Sequence, residues 1–452
     1  MVKRTSIDRK GSRSDKSFRP KKRKPPLRPN QMESETTYTS SAAKKSSGQL
    51  HEVSYDPNFS YCILQFTAVF AAISDCVVCR TCGGDIKFLK SSSRGLGFKL
   101  NVFCTKCDDN IQSVPSSPLI NTAYEINRRF TFAMRLLGKG LKAMQLFCGV
   151  MDLPSCIAKA TFDPIMKNIE EASTVVAKAS MKAAAAEEVQ ESANQDKLES
   201  SQNGIVVSGD STWKKRGLSS FFGVATLIGY ITGKVIDFVV KSKYCEACED
   251  HEKQEGTTEY ESWLESHQQD CEVNHTGSSG EMEADSAVEM FQRSLENYGI
   301  KYEYYIDDAE TKTFSSIMNA QPYEDLEVKK KECAGHVHKQ NNNESLNSKI
   351  WKIAPKCTPD SKRIVDVATN IAVCTFNDGA EALLRMERLL GITIGYEGYH
   401  YCLGTNANRL KHARIEATNA TKEARASCRL ERNKQQLFIE KEGVQYGAEM
   451  GD

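Results

Sequence analysis

Residues 204–243 read Gly-Ile-Val-Val-Ser-Gly-Asp-Ser-Thr-Trp-Lys-Lys-Arg-Gly-Leu-Ser-Ser-Phe-Phe-Gly-Val-Ala-Thr-Leu-Ile-Gly-Tyr-Ile-Thr-Gly-Lys-Val-Ile-Asp-Phe-Val-Val-Lys-Ser-Lys, and this stretch decides the fold. Runs rich in β-branched and aromatic residues alternate with Gly and Ser, which is typical of short strands joined by turns. The pattern predicts strands over 205–207, 224–231 and 235–240, with a tight turn at Thr232 and the glycine after it. Three such strands form an antiparallel meander of mostly buried strands.

A single carboxylate, Asp210, follows the first of these runs. At the exit of a strand it would lie at the edge of the sheet, where a metal ion could reach it. The alternative is that Asp210 only caps a loop, and the residue taken alone favours this second interpretation.

The charge of the 452-residue chain is unevenly distributed, although its formal net charge is only +1. Residues 1–30 hold twelve Lys or Arg against two Asp, whereas residues 245–289 hold fourteen Asp or Glu and one Lys. The apolar run 61–73 is too short to span a bilayer, so we expect a buried helix there and no membrane partner. Sixteen cysteines without a secretory signal indicate metal ligands and free thiols rather than disulfides.

Composition predicts five regions. They are a disordered basic tail over 1–50, a zinc-ribbon-like module over 51–115, a helical region and linker over 116–203, a core over 204–355 with a zinc-like insert at 245–280, and a helical, basic C-terminal region over 356–452. Within the helical region we expect Pro154 and Pro164 to break the helix and a polar linker to begin at residue 189.

The tail contains a dense basic cluster that could be a nuclear import signal, a phosphate-binding arm, or both. A merely solvated charged tail is the alternative. The import interpretation predicts a nuclear protein and rests on Lys21, Lys22, Arg23 and Lys24.

Two Cys-x2-Cys pairs separated by 21 residues predict a tetrahedral Zn²⁺ site. Short strands are predicted between the pairs, Cys76 could compete as a ligand, and unligated core cysteines are the alternative. The predicted ligands are Cys79, Cys82, Cys104 and Cys107.

A second set has the spacing Cys-x2-Cys-x18-His-x3-Cys and is a candidate second zinc site. His275 is an alternative ligand, and the competing interpretation is a solvated acidic loop with incidental thiols. The predicted ligands are Cys245, Cys248, His267 and Cys271.

Further along the chain, strands and helices alternate and carry acidic residues. A strand over 301–306 ends in Asp307 and Asp308, a helix covers 311–320, and a strand begins in 326–338. Asn343 then suits the N-cap of a helix whose first turn holds Glu344. The order resembles an RNase H-like core, a mixed sheet flanked by helices within an α+β/α/β fold. Its acidic triad would be Asp210, Asp308 and Glu344, holding two Mg²⁺ or Mn²⁺ ions.

Several long motifs occur in one order along the chain and together resemble the Mutator-like transposases of animal genomes, over roughly residues 60–450. The motifs are Ser208-Gly-Asp-Ser-Thr-Trp213, Ser242-Lys-Tyr-Cys245, Tyr305-Ile-Asp-Asp308, Glu332-Cys-Ala-Gly-His336 and Asn343-Glu-Ser-Leu-Asn-Ser-Lys-Ile-Trp351.

The resemblance implies a DDE transposase that cleaves and transfers DNA strands, with Asp210, Asp308 and Glu344 as catalytic acids. Cys333 and His336 would accompany the active site, positioning the substrate or supporting the strand of Asp308 rather than binding zinc. DNA is the implied partner, together with a second copy of the chain on transposon ends.

Two departures from the family pattern affect the expected activity. The second acid lies in Asp-Asp-Ala-Glu over 307–310, where the family has a Gly-Asp-Gly-Asp pattern. Only residues 339–343 separate His338 from Glu344, where relatives resemble other large DDE enzymes in carrying a long insertion. We therefore expect the fold to survive and transposition to be impaired. The alternative is a catalytically inactive, domesticated DNA-binding zinc protein.

Overall fold

The computed structural model describes most of the chain from residue 53 to residue 415. The basic cluster at 21–24 lies outside the described residues, as do Asp308, Cys333 and the side chain of His336. The described ranges are 53–107, 110–195, 204–215, 220–306, 311–331, 336–358 and 361–415.

The N-terminal part is a three-stranded antiparallel sheet with one helix against it. The elements are α1 (Phe66–Ser74), β1 (Ile86–Arg94), β2 (Gly97–Cys104) and β3 (Asn110–Pro115), followed by the short hairpin β4 (Leu119–Ile120) and β5 (Ala123–Tyr124). The two strands predicted between the cysteine pairs are present as β1 and β2. The side chain of Asn127 ties the β1–β2 turn to the next helix, accepting from the Leu96 N–H at 2.9 Å and donating to the Arg94 carbonyl at 2.8 Å.

The expectation of a buried helix in 61–73 was wrong. None of the nine residues of α1 is buried. Phe66 and Phe70 pack on Phe98 and Phe88, with ring centroids 5.7 and 5.0 Å apart. The outer side chains Val69 and Ile73 remain exposed. A three-stranded sheet offers one small face, which covers only one side of an apolar helix.

Three helices follow, α2 (Glu125–Leu136), α3 (Leu141–Val150) and α4 (Lys159–Gln195). Pro154 lies between α3 and α4, but Pro164 lies inside α4 and does not break it. A proline in the second helical turn loses its own backbone bond and leaves every later one intact. Burial of Ile169 and Ala177 holds the helix in place. The helix also continues into the predicted linker, as far as Gln195.

The main sheet contains five strands in the order β8-β7-β6-β9-β10. The meander is present, with β7 antiparallel to both β6 and β8, while β9 is parallel to β6 and β10 is parallel to β9. The strands are β6 (Ile205–Trp213), β7 (Phe222–Gly229), β8 (Val235–Ser242), β9 (Tyr302–Ile306) and β10 (Lys329–Lys330).

Helices cover both faces of this sheet. On one face β6–β9 pack against α7 and α9, and on the other against α4, α10 and α11. The helix predicted over 311–320 is present, and its observed bounds are the same as the predicted ones. The helices are α5 (Glu246–His251), α6 (Thr258–His267), α7 (Ser279–Gln292), α8 (Ser294–Tyr298), α9 (Thr311–Ala320), α10 (His336–Ile353), α11 (Lys362–Asn377), α12 (Glu381–Leu389) and α13 (396–415).

The β7–β8 turn is held by a buried carboxylate from α4. Glu188 is fully buried and accepts hydrogen bonds from the backbone N–H groups of Ile231 and Thr232, at 2.7 and 2.8 Å. Gly233 has φ +64°, a conformation that glycine adopts without strain. From α11, Asn377 binds both backbone groups of Val235. The meander is thus fastened at its turn by two helices far away in sequence.

Candidate carboxylate and zinc sites

Asp210 lies inside β6, not at its exit as the sequence suggested. The strand continues to Trp213, and Asp210 pairs with Thr226 of β7. On the other side of β6, the last described pair with β9 joins Ser208 to Ile306. Asp210 is therefore in the central strand, two residues beyond that pair, and its side chain is half-buried.

Two hydrogen bonds join α10 to this part of β6. The Asn347 amide Nδ2 donates to Asp210 Oδ2 at 2.9 Å, and the Trp351 indole Nε1 donates to Thr212 Oγ1 at 2.8 Å. The four residues from Asn347 to Trp351 rise about 6 Å along the helix axis, and two strand residues rise about 6.6 Å. Because these steps match, α10 runs along β6 in the same direction as the strand.

This register brings Glu344 to the face of the sheet that carries Asp210. Glu344 lies three residues before Asn347, which puts the two on one side of the helix. It is exposed and lines a cavity of about 550 Å³. The other lining residues are Thr212, Asn347, Ser348, Trp351, Lys352 and Lys356.

The predicted start of α10 was wrong. The helix begins at His336, so Asn343 is not its N-cap and Glu344 is its ninth residue rather than part of its first turn. The predicted strand over 326–338 is correspondingly reduced to the two residues of β10. Since the dipole acts mainly within the first turn, it does little for Glu344 at this position. The inner face of this helix carries Leu346 and Ile350, which are fully buried.

The structure brings Cys79, Cys82, Cys104 and Cys107 together, with one ligand atom from each within 4.8 Å of all the others. Cys82 Sγ lies 3.3 Å from Cys104 Sγ and 3.1 Å from Cys107 Sγ. Zn–S bonds of about 2.3 Å in a tetrahedron imply sulfur separations of about 3.8 Å. The four thiols therefore fit one zinc ion after a small expansion. Cys76 is exposed and is not part of the cluster.

The electrostatics favour a thiolate at one thiol of this cluster. Backbone N–H groups of Cys82 and Thr81 lower the pKa of Cys79 to about 6, whereas hydrogen bonds with Cys82 and Cys104 raise the pKa of Cys107. Metal ligation requires deprotonated thiols, so Cys79 is ready for a cation and Cys107 would lose its proton on binding.

The second set of candidate ligands also converges, since Cys245, Cys248, His267 and Cys271 each offer one atom within 4.8 Å of all the others. Cys245 Sγ lies 3.3 Å from His267 Nε2, and Cys248 Sγ lies 3.6 Å from Cys271 Sγ. His275 is elsewhere, with Nδ1 3.1 Å from Asp285 and Nε2 3.1 Å from the Ser278 carbonyl. The alternative in which His275 is a ligand is not supported.

Sequence reasoning missed the ring that orients His267. Trp263 is stacked between His267 and His251, with centroids 4.6 and 3.9 Å apart and nearly parallel planes. The i, i+4 spacing of Trp263 and His267 on α6 could have revealed part of this stack. Asn347 and Trp351 were likewise overlooked, although they lie one and two turns after Glu344.

The insert that carries this cluster is fastened to the main sheet. Asn274 exchanges hydrogen bonds with both backbone groups of Ser242 and donates to the Val240 carbonyl. The Glu272 carboxylate accepts from the Lys362 backbone N–H at 3.0 Å. The second cluster is therefore tied to the edge strand β8 and to the start of α11.

None of the helices among the described residues is long and apolar enough to cross a membrane.

Similarity to one known family extends over most of the described chain. Residues 61–367 match the family model of the Mutator-like transposases, and this match spans more than half of the 452 residues. The comparisons with curated proteins and with solved structures found no match. A transposase family implies action on DNA and the use of divalent metal. On the strength of the match, this chain belongs to the Mutator-like transposase family.

Proposed function

We propose that this chain is a metal-dependent DNA-cleaving transposase, or a derivative of one, whose acids are Asp210, Asp308 and Glu344 on an RNase H-like core. The hydrogen bond from Asn347 to Asp210 carries the proposal, because it sets α10 so that Asp210 and Glu344 serve the same face of the sheet. The sheet order, a three-stranded meander extended by two parallel strands, supports the RNase H-like assignment.

The register of β6 and β9 supports the inclusion of Asp308. Ile306 pairs with Ser208 in parallel, and residues paired in this way point to the same face. Asp308 follows Ile306 by two residues, the same step that separates Asp210 from Ser208. Asp308 itself lies outside the described residues, so its place in the triad is part of the proposal.

The donor set suits hard divalent cations. Carboxylate oxygens are preferred ligands of Mg²⁺ and Mn²⁺, and such ions, when bound, would activate a water or a 3′-hydroxyl and stabilise the leaving oxygen. Asn347 holds the Asp210 carboxylate in one orientation without adding a charge that would compete with a cation. Cys333 and His336 are proposed to support this site.

The short connection into α10 bears on the extent of the activity. Five residues, 331–335, separate β10 from α10, and Glu344 then lies within a continuous helix. We infer that the long insertion expected of relatives is missing here. The core would retain strand cleavage, while the gripping of transposon ends by two copies of the chain would be impaired.

A nicking assay on supercoiled plasmid with Mn²⁺ tests the proposal. The full chain should nick DNA, and Asp210→Asn should lose the activity, because asparagine keeps the shape and removes the charge. The matched control is Asp325→Asn, which removes an exposed carboxylate paired with Lys301. Equal nicking by the wild type and Asp210→Asn would refute the site. DNA binding without any nicking would indicate the alternative, an inactive DNA-binding zinc protein.

We further propose that both ligand clusters hold structural Zn²⁺ and that the protein acts in the nucleus. The basic cluster at 21–24 would be the import signal. A fluorescent fusion in which these four residues are changed to alanine should then lose nuclear accumulation, and unchanged accumulation would reject the signal.

A further inference from the structure

The cavity beside Glu344 has an acidic end and a basic end. Among the described residues that line it, Glu344 is the sole carboxylate, whereas Lys352 and Lys356 line the other end and are exposed. Eight residues of helix separate Glu344 from Lys352, which corresponds to about 12 Å along the axis. The cavity is therefore elongated along α10, with opposite charges at its two ends.

Two lysines of α10 near the basic end, Lys349 and Lys352, have no acidic partner among the described residues, and within those ranges their ammonium groups form no ion pair or hydrogen bond. Lys349 is half-buried, and its pKa is lowered by burial and then by the positive charges of Arg409 and Lys352. Arg409 itself lies near Asp378, whereas Lys349 and Lys352 have no carboxylate partner among the described residues, which favours an anion beside these two lysines.

The aromatic ring in the cavity adds a second feature. Lys356 Nζ lies 5.1 Å from the centroid of the Trp351 ring. The Trp351 indole is fixed by its hydrogen bond to Thr212, so the lysine rests on a rigid surface beside β6. This contact favours a position of the Lys356 ammonium at the Trp351 end of the cavity.

We propose that Lys352 and Lys356, with Lys349 beside them, form a backbone-phosphate site for the DNA strand, roughly two to four nucleotides from the bond to be cut. The estimate follows from the 12 Å separation and the rise of about 3.4 Å per nucleotide of one strand. The inference rests on the proposed function, because the cut is placed at Asp210 and Glu344. It adds the direction in which the strand leaves the acids, along α10 toward α13.

A structural role for these lysines makes a different prediction. Lys352 lies in the last turn of α10, where a positive charge also offsets the helix dipole. A dipole role would change stability and leave DNA affinity unaffected. A phosphate contact would change the salt dependence of binding, since each contact releases counterions.

The test is a fluorescence anisotropy titration of the full chain with a labelled duplex, over a series of salt concentrations and without divalent metal. For Lys352→Gln with Lys356→Gln, the slope of log affinity against log salt should become shallower by about 2. The matched control is Lys178→Gln with Lys182→Gln, an exposed pair at the same spacing on α4, which should leave the slope unchanged. The conservative double variant Lys352→Arg with Lys356→Arg should keep the wild-type slope.

The outcomes separate this inference from the proposed function. An unchanged slope in the glutamine double variant, or an equal change in the control, would overturn the phosphate site even if nicking depends on Asp210. A shallower slope in that variant alone, in a chain that nicks no DNA, would support the phosphate site and count against catalysis. Circular dichroism and zinc content verify that each variant is folded.

Discussion

The two cysteine clusters and the carboxylate site were built in different ways. The ligands of each cluster come from fewer than 30 consecutive residues, 79–107 and 245–271. Asp210 and its partner Asn347 are 137 residues apart. Local chain geometry can assemble a zinc knuckle, whereas the carboxylate site requires the register between β6 and α10 to be correct. A substitution can therefore disrupt a cysteine cluster locally, whereas the carboxylate site depends on the packing of the whole core.

The two clusters also differ from each other. Cys79 and Cys104 are themselves part of a small core with Ile86, so the first cluster is the centre of its own sheet. The second cluster is attached to a core that has its own large apolar clusters. Loss of metal from the first cluster should therefore unfold the N-terminal module. Loss of metal from the second cluster should loosen the insert and leave the main sheet folded.

Cys104→Ser should have the largest effect. It removes a buried ligand, and structural zinc contributes on the order of 10 kcal/mol to the folding of small zinc modules. We expect one zinc ion to be lost and proteolysis to cut within 79–115, as measured by metal analysis and limited trypsin digestion. Cys76→Ser, an exposed thiol outside the cluster, is the control and should retain both ions. Full protection of residues 79–115 from trypsin in the zinc-depleted variant would show that the two regions do not differ in their dependence on metal.

Cys271→Ser should also release one zinc ion but should leave the main sheet folded. The hydrogen bonds of Asn274 to β8 remain, so we expect proteolytic cleavage within 246–270. The thermal transition of the main sheet should change less in this variant than the transition of the N-terminal zinc module changes in Cys104→Ser. His275→Gln should keep the ion, since this ring contacts Asp285 instead. Loss of zinc in His275→Gln, or collapse of the main transition in Cys271→Ser, would contradict this view of the insert.

Asn347→Ala tests the assembled site. Losing the hydrogen bond to Asp210 should lower the free energy of unfolding by about 1 kcal/mol. If Asp210 binds metal as proposed, the Mn²⁺ concentration for half-maximal nicking should rise about fivefold, the factor equivalent to about 1 kcal/mol. Ser345→Ala, an exposed change on the same helix, should alter neither quantity. An unaltered Mn²⁺ requirement in Asn347→Ala would show that the bond does not position Asp210 for metal.

The smallest expected effect concerns the second bond between α10 and β6. In a double-mutant cycle of Thr212→Val and Trp351→Phe, the coupling should be about 0.5–1.5 kcal/mol by urea unfolding. The same cycle with Ser345→Ala in place of Thr212→Val should show none. Zero coupling between Thr212 and Trp351 would mean that packing alone sets the register.

Features that depend on local patterns of residues were predicted reliably. The meander was predicted because Gly and Ser separate its apolar runs, and α9 was predicted with its bounds. The family was identified from motifs such as Ser208–Trp213 and is confirmed by the family match. The division into five regions, the catalytic triad and the nuclear location stay predictions.

Errors arose where long-range contacts decided the outcome. Pro164 did not end α4, because the buried stripe of that helix packs on α11. Residues 336–338 are helix rather than part of the predicted strand, since β10 pairs over only two residues and α10 already begins at His336. The exposed surface of α1 could not be inferred from its apolar composition, which does not reveal the size of the sheet it meets.

The ligand types, their spacing in the two cysteine clusters and the individual family motifs could be read from the sequence alone, because each cluster and each motif consists of residues close together in the chain. Only the tertiary structure decided that Asp210 lies within the central strand, that Asn347 holds it and that Glu344 shares a cavity with two lysines. The physical reason is register. A shift of one residue in β6 would turn Asp210 to the opposite face of the sheet. The pairing of β6 with β7 and β9 prevents such a shift, and the contacts that place α10 against β6 join residues 137 and 139 positions apart.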